Sequence, residues 1–190
     1  MKQLNVFPEC YVDTNLVCYL LGADVKHKSS CNEVVKALNK SNGFAVGIID
    51  ADKRMPTIDV GFVEHTQLLE INKNKHITMF IHEDCKRFLF TVKPAMDKFI
   101  MDAADECGVE LTQYGFPTDL PGFKKYTKTI QAAMDSNLRR LFAEIKNSDE
   151  LKRFRNTIKY LTNKQYAADI SVVKKFFDGE LTSTDLVRYI

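Results

Sequence analysis

The pair Asp50-Ala-Asp52 follows the apolar run 44–49 directly, and Lys53 and Arg54 come next. Residues i and i+2 of an extended segment project to the same side, so both carboxylates can meet at one point beyond the end of a strand. Two carboxylates held together repel unless a proton or a cation separates them, and Mg2+ prefers oxygen ligands from carboxylates, water and phosphate. A second acid, Asp13, closes the shorter apolar stretch Cys10-Tyr11-Val12. If the two strands are parallel neighbours, Asp13, Asp50 and Asp52 converge at one edge, where open α/β sheets bind their ligands. This pattern predicts a Mg2+ (or Mn2+) site made by Asp13, Asp50 and Asp52, with Lys53 and Arg54 placed to stabilise charge on a phosphate. A plainer reading stands beside it, with Asp13 as a helix N-cap and Asp50-Ala-Asp52 as the solvated end of a strand.

Positioning these acids requires a strand-helix-strand order, and the chain supplies one. Residues 10–12 read as a short strand that stops at the N-cap residues Asp13-Thr14-Asn15, ahead of a helix over 16–21 closed by Gly22. A connection through 25–28, with room for a short strand, leads to Ser29-Ser30, which caps a helix carrying Val34, Val35 and Leu38 on one face. The run 44–49 has no polar alternation, which predicts a central strand buried on both faces. Residues 77–82 and 87–92 around Glu83-Asp-Cys-Lys86 predict an antiparallel hairpin, preceded by a strand near 68–71. From Pro94, placed in a first helical turn, the periodicity is almost entirely helical. Met96, Phe99, Ile100, Ala103 and Cys107 mark one helix and 130–145 a long one. A third over 151–161 is capped at Ser148 or Asp149, and a fourth carries Ile170, Val173 and Phe177. The expected fold class is therefore α/β: a wound, partly parallel sheet with an antiparallel hairpin, followed by a helical C-terminal section. The division falls at 1–93 and 94–190, the two regions packed as one compact unit.

Charge is distributed unevenly over the 190 residues. Residues 1–123 carry 13 Lys/Arg against 17 Asp/Glu, and residues 124–177 carry 13 against 5. An acidic front and a basic section suit a chain that holds cations with one part and phosphate backbone with the other. Lys152, Arg153, Arg155 and Lys159 fall away from the stripe Leu151, Phe154, Ile158 and Leu161, so they are the expected nucleic-acid contacts. Five cysteines without CxxC spacing read as reduced thiols, and the N-terminus has no apolar leader. No apolar run approaches the ~20 residues that span a bilayer, so the expected setting is cytoplasmic with no membrane partner. P-loop, dinucleotide and G-x-S-x-G motifs are absent, and His27, His65, His76 and His82 show no metal-ligand spacing; His76 and His82 read as flanking a strand.

Tyr11-Val-Asp-Thr-Asn15, two helices, and Asp50-Ala-Asp52 after a hydrophobic strand together resemble the Toprim domain of topoisomerases, primases and the overcoming-lysogenization-defect nucleases over residues 9–54. That family ends its first strand with an acid and its third with Asp-x-Asp; the first acid is glutamate there and Asp13 here. The resemblance implies Mg2+-dependent, nuclease-like phosphodiester chemistry on nucleic acid, in a setting of antiviral defence or a mobile element. Pro94-Ala-Met-Asp-Lys-Phe-Ile100 resembles an acid-bearing helix found after the hairpin in some relatives, which would make Asp97 an auxiliary residue. An acid in a first helical turn also opposes the helix dipole without any further role. Tyr-Val-Asp-Thr-Asn-Leu is similar to the opening of PIN-domain ribonucleases as well; where those place further acids, this chain offers Glu33 and Asp50. The alternative is a non-catalytic nucleic-acid-binding or regulatory protein on a Toprim-like scaffold.

Overall fold

A computed structural model describes residues 3–51, 57–65 and 75–190. Five strands form one sheet: β1 (Val6–Pro8), β2 (Ala45–Asp50), β3 (Phe62–Glu64), β4 (Ile77–His82) and β5 (Arg87–Val92), in the spatial order β1-β2-β5-β4-β3. β1, β2 and β5 are parallel, while β4 and β3 add antiparallel strands on the β5 side. Residues 24–28 extend the sheet beyond β1 in the same direction, through hydrogen bonds from Leu4 N–H to Asp24 O, Lys26 N–H to Val6 O and Lys28 N–H to Pro8 O. The expected hairpin is present with its expected bounds. Its β5 arm lies inside the sheet, between β2 and β4.

Ala45 to Ile49 are all buried in β2, as an unalternating apolar run requires when both faces of a sheet are covered. Val46 and Ile48 join the larger core with Leu16, Phe88 and Phe90, and Ala45 and Ile49 pack with Val34, Leu38 and Leu89 on the other side. That second face is covered by α2 (Cys31–Lys40); the first takes α1 (Tyr11–Leu21) and the helical C-terminal section. This section contains α3 (Met96–Glu106), α4 (Leu120–Thr127), α5 (Ser136–Ile145), α6 (Asp149–Lys164), α7 (Ile170–Asp178) and α8 (Ser183–Tyr189). It shares the sheet's core, since the Phe90 ring lies 5.3 Å from that of Phe154 in α6 and 6.1 Å from that of Phe177 in α7. No helix of the described residues is long and apolar enough to cross a membrane.

Three local expectations are corrected. The first strand is 6–8 and not 10–12, because Cys10 and Asp13 close a capping box that starts α1 at Tyr11. The long helix over 130–145 is broken: 130–134 forms a 3-10 turn, and the Asp135 carboxylate accepts the Leu138 N–H at 2.8 Å to cap a separate α5. Pro94 precedes α3, which starts at Met96, and the Lys93–Pro94 bond is cis. The strand expected near 68–71 lies outside the described residues.

At Gly47 α2 leaves no room for a side chain on β2. A Cβ there would sit 2.6 Å from Leu38 Cδ1, 2.9 Å from Val34 Cγ1 and 3.1 Å from Leu89 Cδ1. Gly47→Val should therefore lower the urea midpoint by the equivalent of about 1–3 kcal/mol, the usual range for overpacking a filled core, with the m-value kept. A midpoint equal to that of wild type would show that α2 does not press on β2.

Candidate functional site

Four acids come from the ends of adjoining elements at one edge of the sheet. β1 ends at Pro8, and the next residue, Glu9, continues the ladder with its N–H to Ile48 O at 3.0 Å. The Glu9 carboxylate accepts the Asp50 N–H at 3.0 Å, so it clips the end of β1 to the end of β2. Cys10 is the N-cap of α1; its N–H donates to Asp13 Oδ2 at 3.3 Å and its thiol to Asp13 Oδ1 at 2.7 Å. These two bonds hold Asp13 in the first turn of α1, where it is 0% exposed. Asp50 is the last residue of β2, and its Oδ1 accepts the N–H of Met96, the first residue of α3, at 2.8 Å. Asp97 follows in the first turn of α3, buried, with Oδ1 accepting the Thr127 hydroxyl at 2.5 Å.

The electrostatics follow from burial. Burial is the main cause that raises the Asp50 carboxyl from 3.8 to about 7, and the charges of Glu9 and Asp97 raise it further; the Met96 N–H and the Lys124 charge act against them. Asp13 is also pushed well above the usual carboxylate range, by burial first and by the Asp50 charge second, although its bonds from Cys10 oppose this. Burial and the Asp13 charge push the Cys10 thiol up in turn. Asp50 therefore keeps its proton into the neutral range, and its charge, once formed, further disfavours ionisation of Asp13. Both α1 and α3 direct their N-termini at this edge, which suits negative charge.

Of the residues singled out in the sequence, Asp13 and Asp50 are brought within electrostatic reach of each other. Asp52, Lys53 and Arg54 lie outside the described residues. Asp97 does oppose its helix dipole, and its charge also acts on Asp50. Among the described residues no three His, Cys, Asp or Glu side chains already converge as a metal-ligand set. Sequence reasoning misses Glu9 because it places the first strand four residues late, which puts Glu9 before the strand and not after it. Lys124 and Thr127 carry no local signal, since only the packing of α4 against α3 brings them to the acids.

The expected outward row on α6 is corrected. Arg153 is 4% exposed and paired with Asp149, and Lys152, Arg155 and Lys159 are half-buried. Arg155 donates to Lys146 O at 3.3 Å and to Ser183 Oγ at 2.9 Å, and burial lowers the pKa of both Arg155 and Lys159. The reason is that α6 is enclosed on several sides, so polar positions off the apolar stripe, including Asn156 and Thr157, are buried too. The histidines take structural partners. His76 precedes β4 and bridges Glu150 and Asp102 at 2.9 Å each, His65 meets Asp178 at 3.0 Å, and His82 ends β4 beside Asp84 and Arg87. His27 stacks on Tyr11 at 4.6 Å and contacts the Thr14 hydroxyl at 3.0 Å, and burial lowers its pKa.

Compared with protein-family models, curated proteins and solved structures, the chain has no match.

The raised Asp50 pKa fixes the sign of a pH effect. The folded chain keeps the proton through the window from about 4 to about 7 while the unfolded chain has lost it, so stability falls as pH rises through that window. Asp50→Asn removes the penalty and keeps an acceptor for Met96 N–H. Its gain over wild type should be near zero at about pH 4 and roughly 1–3 kcal/mol at about pH 8, read from urea denaturation at each pH. A mutant no more stable than wild type on the alkaline side would show that Asp50 is not held in this way.

Proposed function

We propose that this protein carries out Mg2+-dependent (or Mn2+-dependent) phosphodiester chemistry on nucleic acid, in a nuclease-like manner, at the edge formed by Glu9, Asp13, Asp50 and Asp97. One observation carries the reading: two carboxylates, one in the turn that follows β1 and one at the end of the adjacent parallel β2, lie within electrostatic reach of each other, with burial and neighbouring charge holding both well above their ordinary pKa. Such an arrangement is unfavourable for the chain alone, and a cation relieves it. The donors are carboxylate oxygens, the chemistry a hard divalent cation takes, so the residues present fit Mg2+ or Mn2+. Asp13 and Asp50 would hold the ion, and Asp52 joins them by its place in the sequence. A bound cation supplies Lewis-acid polarisation of a phosphate and a lowered pKa for an attacking water.

The chain's own groups have definite tasks in this reading. Glu9 fixes the end of β2 through the Asp50 N–H, and Met96 N–H fixes one oxygen of Asp50. The two helix N-termini and Lys124 favour a phosphate over other groups near the acids. Lys53 and Arg54 are assigned the stabilisation of developing charge. Asp50 would have to give up its proton to serve as a ligand, so apparent affinity for Mg2+ should rise with pH towards about 7. The resemblance to Toprim domains, and the weaker one to PIN-domain ribonucleases, enters as part of the same proposal. So does a role in antiviral defence or in a mobile element.

A second reading, a non-catalytic nucleic-acid-binding or regulatory protein on a Toprim-like scaffold, has one observation in its favour. Both Asp13 oxygens accept hydrogen bonds from Cys10. Labelled single- and double-stranded DNA and RNA, incubated with Mg2+, Mn2+ or EDTA, separate the two. The catalytic reading expects cleavage in Mg2+ or Mn2+, none in EDTA, and activity reduced at least about 100-fold in Asp50→Asn, on the scale of removing one essential electrostatic group. Binding with no cleavage under every condition supports the second reading.

A further inference from the structure

Residues 123–135 form a strap fastened at two places to the acid-bearing helices. Thr127 in α4 donates its hydroxyl to Asp97 in α3. The Asn15 side-chain amide in α1, two residues from Asp13, donates to Ala132 O at 2.8 Å and Asp135 O at 3.1 Å, and Asn15 Oδ1 accepts from Arg139 Nε at 2.9 Å. Tyr126 closes the strap on itself through its hydroxyl to Asp135. Phe123, Thr127 and Ala132 make up its buried inner side. The outer side is unusual in two ways. It carries Lys124, Lys125 and Lys128 with no acid between 124 and 134, and it exposes two large apolar side chains, Ile130 at 66% and Met134 at 81%. Lys124 is near enough for its charge to act on Asp50.

We propose that this strap is the seat of a single-stranded polynucleotide, with Lys125 and Lys128 taking its phosphates, Ile130 and Met134 meeting its unpaired bases, and Lys124 at the boundary with the acids. The proposal rests on the nucleic-acid reading above and specifies its substrate and path. Charge complementarity argues for a phosphate backbone: the lysines stand beside an acidic edge that would repel the same strand without them. The exposed apolar pair argues for bases whose faces are open: Ile and Met wedge between base steps only where these are unstacked, and a single strand offers open faces without the cost of unstacking a duplex. The fastening also places a strand held here beside the acid-bearing helices, since each anchor of the strap sits within two residues of an acid or on the acid itself. The expected row on α6 lacks this geometry.

The test is fluorescence anisotropy of a labelled single-stranded oligonucleotide with the full chain in EDTA, titrated over salt, so that binding is read apart from any cation or cleavage. Lys125→Ala/Lys128→Ala should flatten the slope of log K against log salt by about 1.4, from roughly 0.7 for each single-strand phosphate that is no longer neutralised. Ile130→Ser/Met134→Ser should weaken binding by about fivefold or more with the slope kept. Lys36→Ala/Lys40→Ala removes the same charge from α2 on the other face of the sheet and should change neither. All four lysines and both apolar residues are exposed, and matching thermal melts confirm that each variant is folded. Wild-type affinity and slope in both strap variants would overturn the seat, as would equally weakened binding in the α2 control or equal affinity for a duplex. These results are independent of the metal reading. Absent cleavage with binding weakened in both strap variants counts against catalysis alone, and cleavage with wild-type binding in both counts against the seat alone.

Discussion

Holding two carboxylates out of water and close together is the constraint on which this edge of the protein depends. Asp13 is fully buried and Asp50 half-buried; the Asp50 charge raises the energy of ionising Asp13, and the Glu9 and Asp97 charges raise that of Asp50. An isolated pair of this kind would move apart or draw in solvent. Here the backbone prevents both. Glu9 holds the end of β1 to the end of β2, Cys10 grips both oxygens of Asp13, and the N-terminus of α3 grips Asp50. The stability needed to keep this arrangement comes from β2, a strand buried on both faces and pressed by α2 at Gly47.

The helical section completes the edge instead of merely covering the sheet. Asp97 reaches α4 through Thr127, and Asn15 in α1 ties down the turn at 130–134, so residues more than a hundred positions apart in the chain are fixed to the same few side chains. A second fastening lies away from the acids. His76, just before β4, bridges Glu150 in α6 and Asp102 in α3, and its pKa is raised chiefly by the hydrogen bond to Glu150. That bridge, with the backbone N–H groups of His76 and Ile77 on the same Glu150 carboxylate, ties α6 and α3 to the start of β4. The edge with the acids is then a consequence of how two layers are joined.

Much of the sheet could be read from residue patterns, because burial on both faces leaves a plain signature. The run 44–49 has no polar residue to expose, and the hairpin arms flank a four-residue turn rich in polar groups. The beginning of the chain was harder. Val6 to Pro8 is too short for a period to show, whereas Cys10-Tyr11-Val12 looks like a strand until one knows that Asp13 turns back to cap Cys10. That misplacement hid Glu9. On α6, periodicity located the helix well but misjudged its surroundings, because a helical stripe says which side is most apolar and not how many sides are covered; Arg153 is buried off that stripe. Ile130 and Met134 differ in the opposite sense: a single amphipathic helix over 130–145 would turn its apolar side to the core, but the chain breaks at Asp135 and both side chains are exposed. Long-range pairings such as Thr127 with Asp97 leave no trace in local sequence.

The most direct test of the account is an NMR titration of the side-chain carboxyl carbons of Asp13 and Asp50, with and without Mg2+. Without the ion, Asp50 should titrate near pH 7, with a linked response at Asp13. With Mg2+ at saturation, that titration should move down into or below the ordinary range, because a cation bound by Asp50 would favour its ionised form. If both carboxyls titrate near their ordinary values and ignore Mg2+, the buried pair is not the cation site proposed for it.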